Sequence, residues 1–239
     1  MERRELSERE RIALGALLHD IGKVVQRASD NPKAKTHQEF GEEWIESRLP
    51  ASIASELKLF AKYHHFNTKL HPELDASNPG RNDLILVAYA DNVSAGERDI
   101  GGDDLSFNPE QPLRSIFSSI DGATDVLYWP LISLSSGINI PRKNLVLRKN
   151  DYEDILRTFE SRIAKIQITP DNLLALLEEF MTFVPSYTAT PGDDISLYDH
   201  LKTTAAIALA NYNYILERFG DFSRVNPQDI KNDSEKRYK

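Results

Sequence analysis

The sequence contains no cysteine, so it can form neither disulfide bonds nor thiolate metal sites. Any metal ion must therefore be held by histidine and carboxylate side chains. Long apolar runs are absent as well: the longest, LILVAYA at 84–90, is far shorter than the roughly 20 residues of a membrane-spanning helix. The charged start, MERRELSERERIAL, does not resemble a signal peptide. These absences predict a soluble chain that works in the cytoplasm and has no membrane partner.

An excess of positive charge is also missing. The chain has 29 lysine and arginine residues against 37 aspartate and glutamate residues, which gives a formal net charge of −8. We therefore expect no broad basic face for duplex nucleic acid. A substrate held through metal ions in a local cleft is compatible with this balance, because bound dications reverse the sign of a site.

What the sequence does have is helical periodicity. Ser7 and Glu10 form a capping-box pattern, and apolar residues then recur at helical spacing as far as Val25. Further helices are predicted within 37–50, 51–66, 81–98, 151–166, 169–184 and 196–220. Periodicity is poor from 99 to 150, where VLYWPLISL (126–134) and KNLVLR (143–148) are predicted to be short extended pieces.

This pattern predicts an all-α fold with a loop-rich insertion. We divide the chain into a helical core at 1–98, an irregular insertion at 99–150, a helical segment at 151–220 that completes the domain, and a polar linker at 221–239. The linker is expected to lead toward a further domain. The acidic run GGDD (101–104) has polar flanks and no strand before it, which predicts a turn.

Candidate ligands are concentrated in a few motifs. His19 and Asp20 are the strongest pair, since charge on the inner edge of an apolar helix is costly to bury unless something binds it. Asp91 follows a nearly all-apolar turn and has no lysine or arginine within four residues. His71 lies in a polar loop and is predicted to face solvent. The other candidate ligands are His37, His64, His65 and His200.

Each candidate also has a structural alternative. Asp20 could form an interior ion pair with Lys23, which would otherwise be available to contact a substrate phosphate. His37 could cap its helix, and the pair of histidines at 64–65 could be a solvated helix end.

Four motifs carry a family resemblance. HDIGK (19–23), H-x-x-x-G (37–41), HH (64–65) and AD (90–91) resemble, in this order, the motifs of the HD phosphohydrolase superfamily. The histidine that usually precedes them is absent, and LYDHLKTTAAIALA (197–210) resembles that segment instead. The order is that of a circularly permuted HD domain, similar to the N-terminal HD domain of the large subunit of type III CRISPR–Cas effector complexes, Csm branch.

The resemblance implies a metal-dependent single-stranded DNA nuclease. It assigns catalytic roles to His19, Asp20 and Lys23, with Lys23 on the scissile phosphate. One metal ion would be held by His19, Asp20, Asp91 and His200, and a second by Asp20, His37, His64 and His65. Such ligands suit manganese, nickel, cobalt or iron, one or two per domain.

The resemblance also implies partners. These are a single-stranded DNA substrate, the other subunits of a CRISPR effector complex with its guide RNA, and a palm domain after the linker. The remaining alternatives are a non-catalytic HD scaffold for subunit docking and a nucleotide phosphohydrolase.

Overall fold

Residues 5–65, 81–95, 107–120, 125–188 and 194–222 are described by the structure, a computed structural model. Regular structure in these ranges is helical, and no β-strand is formed within them. The prediction of an all-α fold is therefore confirmed. The α-helices are α1 (Glu8–Leu18), α2 (Gly22–Ala28), α3 (His37–Arg48), α4 (Ala51–Tyr63), α5 (Asn82–Ser94), α6 (Lys149–Ile163), α7 (Pro170–Met181) and α8 (Leu197–Phe219).

Helix α1 is the central element of the fold. Ser7 caps it with the expected capping box to Glu10, and every residue from Ile12 to Leu18 is buried. A helix that is apolar on all sides must be surrounded by other elements. Helix α1 accordingly packs against α4, α5, α7 and α8. This central place explains why its C-terminal end, which leads into His19, lies in the interior.

The last helix returns to the first one. The side chain of Ser196 caps α8, and Gly220 ends it with a left-handed backbone (φ +73°). Between these two ends, α8 packs along both α1 and α5. The two helices that the permuted motif order predicts to be neighbours are therefore neighbours, although their sequences are separated by most of the chain.

Helices α3 and α4 form an antiparallel pair at the other side of α1. Thr36 Oγ1 accepts a hydrogen bond from the backbone N–H of Glu39, and the Glu39 carboxylate accepts one from the N–H of Thr36. Thr36 is therefore the N-cap, and the alternative that His37 caps this helix is wrong. Because the cap is made one residue earlier, the imidazole of His37 is left available for other contacts.

The segment between α5 and α6 has little regular structure where it is described. It contains two single-turn 3₁₀ helices, Ile116–Ser119 and Leu134–Ser136. Tyr128 in the first predicted extended piece makes isolated antiparallel bridges to Arg114 and Arg142. The second predicted piece, 143–148, begins with a turn at 143–144 and forms no bridge, and Arg142, which bridges to Tyr128, lies just before it.

Several predictions are not tested by these helices. The boundaries at 98, 150 and 220 stay predictions, although α5 ends at Ser94 and α6 begins at Lys149. His71, the run at 101–104 and the linker beyond 222 lie outside the described residues. Among the described helices, none combines the length and the hydropathy needed to cross a membrane.

Candidate metal centre

The centre is built on a tight turn between α1 and α2. The periodicity predicted one continuous helix here, but α1 ends at Leu18 and α2 begins at Gly22. The intervening backbone is tightened by hydrogen bonds three residues apart, from Ile21 N to Leu18 O and from Lys23 N to Asp20 O. This short 3₁₀-like turn changes the directions in which His19 and Asp20 project, and such turns within helices often mark functional positions.

One group of ligand atoms joins this turn to α5 and α8. Its members are fully or almost fully buried: His19, Asp20, Asp91 and His200. The Nε2 atoms of His19 and His200 lie 3.3 Å apart. Asp91 Oδ1 lies 3.4 Å from the first of these nitrogens and 3.0 Å from the second. Asp20 Oδ2 completes the group at 3.5 Å and 3.2 Å from the same two nitrogens.

A second group joins the same turn to α3 and α4. It comprises Asp20, His37, His64 and His65, with one ligand atom of each within 4.8 Å of the others. The Nε2 atoms of His37 and His64 lie 3.2 Å apart, and Asp20 Oδ1 lies 3.4 Å and 3.2 Å from them. His65 is exposed at the rim of this group. Asp20 thus directs one oxygen to each group and is the only residue common to both.

Hydrogen bonds on the far side of each ring set the orientation of three imidazoles. Nδ1 of His19 lies 2.7 Å from the carbonyl oxygen of Ala16, and Nδ1 of His64 lies 2.7 Å from that of Ala61. A carbonyl oxygen can only accept, so in both rings Nδ1 carries a proton, and Nε2 is the ring nitrogen that faces the centre. Histidine ligands of metal ions are commonly fixed in this way.

Ser94 fixes the third imidazole. Its Oγ lies 3.0 Å from Nδ1 of His200 and 3.4 Å from the carbonyl oxygen of the same residue. The hydroxyl can therefore donate to the carbonyl and accept from Nδ1–H, which leaves Nε2 of His200 facing the centre. Ser94 is not among the candidate residues that the sequence motifs indicate. The signal was its place three residues after Asp91, on the same face of a helix.

The carboxylates of the centre are held in their charged form. Burial alone would raise the pKa of Asp20, but the charges of Lys23 and His19 outweigh it and hold that pKa well below its usual value. Burial likewise acts to raise the pKa of Asp91, yet hydrogen bonds from His19 and His200 keep it well below normal. Both acids are therefore available as anionic ligands.

The two histidines that differ most in protonation belong to different groups. Burial acts to lower the pKa of His19, but the adjacent charge of Asp20, aided by Asp91, raises it to about 10. Burial dominates at His37 and lowers its pKa to about 2. In the metal-free chain, a proton on His19 thus offsets part of the buried negative charge, whereas His37 is neutral.

Lys23 makes the interior contact that was the alternative to a phosphate-binding role. Its Nζ lies 2.5 Å from Asp20 Oδ2, one helical turn away, and the residue is 9% exposed. An ammonium group has three N–H donors, so this ion pair leaves others for a further acceptor. The ion pair accounts for one oxygen of Asp20 only, and the five histidines and Asp91 of the two groups still require an explanation.

The arrangement fits bound cations on two counts. Both oxygens of Asp20 are buried and neither accepts a hydrogen bond of good geometry. In addition, ligand atoms bound at about 2.1 Å from one ion lie about 3.0–3.4 Å from each other, and the distances given above, which leave out His65, are similar at 3.0–3.5 Å. Without a cation or a proton between them, imidazole lone pairs at such distances would repel. The centre is thus a candidate site for divalent metal ions.

Replacing Ser94 with alanine is expected to weaken metal binding at the first group. Without the hydroxyl, the ring of His200 loses the partner that orients it, and losses of such partners commonly cost 10- to 100-fold in metal affinity. Titration calorimetry with Mn²⁺ measures this change. Ser47→Ala is the matched control, because Ser47 also bonds a helix carbonyl, that of Trp44, but on the exposed side of α3. Equal affinities for both variants would contradict the role given to Ser94.

Comparisons with known proteins agree with this geometry. Residues 1–96 match the family described as HD domain. The chain is 33% identical over 215 residues to the CRISPR system single-strand-specific deoxyribonuclease Cas10/Csm1 (subtype III-A) of Thermococcus onnurineus, covering 83% of this chain and 26% of that protein. It is 32% identical over 243 residues to the protein of the same name from Methanocaldococcus jannaschii, covering 86% and 28%.

Solved structures show the same relationship. The crystal structure of Csm1 in T. onnurineus matches with a TM-score of 0.68 at 29% identity, over 86% of this chain and 28% of that one. A Csm1–Csm4 subcomplex of the type III-A CRISPR–Csm interference complex matches with a TM-score of 0.64 at 29% identity, over 84% and 27%. The fold and its motifs thus define an all-helical HD domain. More particularly, the chain belongs to the HD domains of the large subunit of type III CRISPR–Cas complexes, in the Csm branch. It spans about a quarter of the length of these relatives.

Proposed function

We propose that this domain is a metal-dependent phosphodiesterase that cleaves single-stranded DNA. The observation that carries the proposal is the buried carboxylate of Asp20, which faces a group of imidazole Nε2 atoms with each of its oxygens. Two cations bound in such a site can activate a water molecule and stabilise negative charge on the leaving oxygen of a phosphate ester. The substrate comes from the relatives, which are named as single-strand-specific deoxyribonucleases.

Each side chain has a defined task in this proposal. His19, Asp20, Asp91 and His200 hold one ion, and Asp20, His37, His64 and His65 hold the other. The carbonyl oxygens of Ala16 and Ala61 keep the rings of His19 and His64 oriented, so these rings need little reorganisation when the metal ions bind. Lys23 forms an ion pair with Asp20 and presents its ammonium N–H groups to a phosphate oxygen of the substrate.

The identity of the ions follows from ligand chemistry. Imidazole nitrogens together with carboxylate oxygens suit manganese, nickel, cobalt or iron, and we propose two such ions per domain. The acidic chain has a net charge of −8, so the dications would also supply positive charge that attracts the DNA backbone.

The proposal extends to partners through the relatives. Structures similar to this chain include Csm1 bound to Csm4 in a type III-A interference complex. We infer that the domain works in a CRISPR effector complex, with its other subunits and a guide RNA, and hence in the cytoplasm.

A substrate panel with Mn²⁺ tests the proposed activity. Labelled single-stranded DNA, duplex DNA, single-stranded RNA and deoxynucleoside triphosphates are incubated with the domain, with and without EDTA. We expect cleavage of single-stranded DNA that EDTA abolishes. Hydrolysis of nucleotides alone would indicate a nucleotide phosphohydrolase, and no hydrolysis by a metal-loaded protein would indicate a scaffold. Either result would overturn the proposal.

A further inference from the structure

At Gly22 the start of α2 lies against the first turns of α3, with no room for a side chain between them. A Cβ atom added to Gly22 would lie 1.8 Å from the carbonyl oxygen of His37. It would also lie 2.6 Å from the backbone nitrogen of Gly41 and 2.9 Å from its Cα. All three atoms belong to the backbone of α3, so no side-chain rotation could relieve the overlap. Only glycine at position 22 lets α3 approach this closely.

Helix α3 also contacts α4 at Gly41. A Cβ atom added to Gly41 would lie 3.1 Å from Cβ of Ala61 on α4, and 3.4–3.5 Å from the backbone of Gly22. Helix α3 is thus seated between α2 and α4. The two contacts differ in tolerance: a methyl group on Gly41 requires movements of tenths of an ångström, whereas one on Gly22 requires an increase of about 1.6 Å to reach an ordinary 3.4 Å contact.

This contact bears on one of the two ligand groups. His37 is the first residue of α3 and a member of the second group. The ligands of the first group are carried by the turn after α1, by α5 and by α8, so none of them lies on α3. Ligand distances in metal sites tolerate only about 0.2 Å of error. A displacement of α3 large enough to accommodate a methyl group would therefore remove His37 from coordination.

We propose that the backbone contact between Gly22 and Gly41 positions His37, and that Gly22 is therefore a positioning residue that determines whether the second group binds its ion. The inference rests on the proposed two-ion function. It adds that loss of the second ion can be separated from loss of the first. Binding of the second ion depends on the packing of α3 against α2, and binding of the first ion does not.

The test is the metal content of Gly22→Ala. The wild-type domain and the variant are loaded with Mn²⁺, freed of excess metal by gel filtration, and measured by elemental analysis and by electron paramagnetic resonance. We expect two ions in the wild type, with the coupled signal of ions about 3.5–4 Å apart. We expect one ion in Gly22→Ala, with an uncoupled signal. The affinity of the remaining ion is expected to be unchanged.

A milder pair of variants keeps the test decisive if Gly22→Ala does not fold. Gly41→Ala is expected to weaken the binding of the second ion severalfold and to leave the affinity for the first ion unchanged. Gly41→Ala combined with Ala61→Gly removes the Cβ that the new methyl would meet and is expected to restore the second ion. Gly220→Ala is the control for general destabilisation, because its left-handed backbone strains alanine while its Cβ would meet nothing within 4 Å. It should retain both ions.

Two kinds of result overturn the inference, and a third overturns the proposed function on which it rests. Two ions in folded Gly22→Ala, or wild-type affinities in Gly41→Ala, whose methyl group would press on Ala61 of α4 rather than on Gly22, would show that the close packing of α3 does not position His37. Loss of both ions from a folded Gly22→Ala would show that the contact positions Asp20 rather than His37. A wild-type domain that binds fewer than two ions would instead contradict the proposed two-ion site itself, so the two failures are distinguishable.

Discussion

Asp20→Asn is expected to abolish cleavage of single-stranded DNA and to prevent binding of both metal ions. Asp20 is the only residue that belongs to both ligand groups, and its pKa is held well below normal, so it is the charged ligand that both ions share. We expect the rate to fall at least about 1000-fold, which corresponds to about 4 kcal/mol of transition-state stabilisation. Single-turnover assays with Mn²⁺ measure the rate, and elemental analysis measures the bound metal.

Two companion variants make this result interpretable. Asp154→Asn is the matched control, because Asp154 is exposed and pairs with Arg157 on the surface of α6. It should leave cleavage and metal content unchanged. Asp20→Asn also leaves Lys23 buried without its partner, which can destabilise the fold. The double variant Asp20→Asn/Lys23→Met removes both charges and should keep the helical circular dichroism spectrum. Cleavage at a wild-type rate by folded Asp20→Asn would rule out the shared-ligand role.

Mn²⁺ is expected to raise the melting temperature of the domain by roughly 5–10 °C. Bound ions replace a proton and unfavourable contacts in a buried centre, and the unfolded chain has no such site. A ligand present at 100 times its Kd stabilises by about 2.7 kcal/mol, and each kcal/mol shifts the melting temperature of a chain of this size by about 2–4 °C. Thermal scans with Mn²⁺ and then with EDTA measure the effect. An equal shift in Asp20→Asn would show that the ions bind elsewhere.

Metal affinity is expected to rise with pH. The carboxylates raise the pKa of His19 to about 10, so in the metal-free chain this ring carries a proton near neutrality. An ion can bind Nε2 of His19 only after that proton leaves, and the release of one proton makes the affinity rise about tenfold per pH unit. His37 has a pKa of about 2 and contributes no such dependence. Calorimetry at pH 6.5, 7.5 and 8.5 tests the sign; an affinity that falls over this range would contradict it.

The sequence was sufficient for the helices and for most of the centre. Capping residues such as Ser7, Thr169 and Ser196 are local signals in the sequence, and each caps a helix in the structure. The burial of Asp91 could be foreseen because its neighbours are apolar and carry no positive charge. The packing of α8 against α1 was predicted from the motif order. The histidine that usually precedes the motifs is absent there, and His200 near the other end of the chain resembles it.

Features that depend on tertiary contacts could not be foreseen. The break after Leu18 is invisible in the apolar periodicity, which continues through Ile21 and Val24, and it becomes intelligible only when Gly22 is seen against α3. Ser94 is an ordinary serine until its hydroxyl is placed beside His200. The segment between α5 and α6 has no regular hydrophobic periodicity. The sequence therefore contained no signal, beyond apolar composition, for the isolated β-bridges at Tyr128.

The most direct test is a crystal structure of the domain grown with Mn²⁺, with anomalous scattering used to locate the metal. The account predicts two anomalous peaks about 3.5–4 Å apart, one on each side of the Asp20 carboxylate. The first should contact Nε2 of His19 and His200, and the second should contact Nε2 of His37 and His64. A fully loaded crystal with no peak among these side chains, or with His200 directed away from His19, would contradict it.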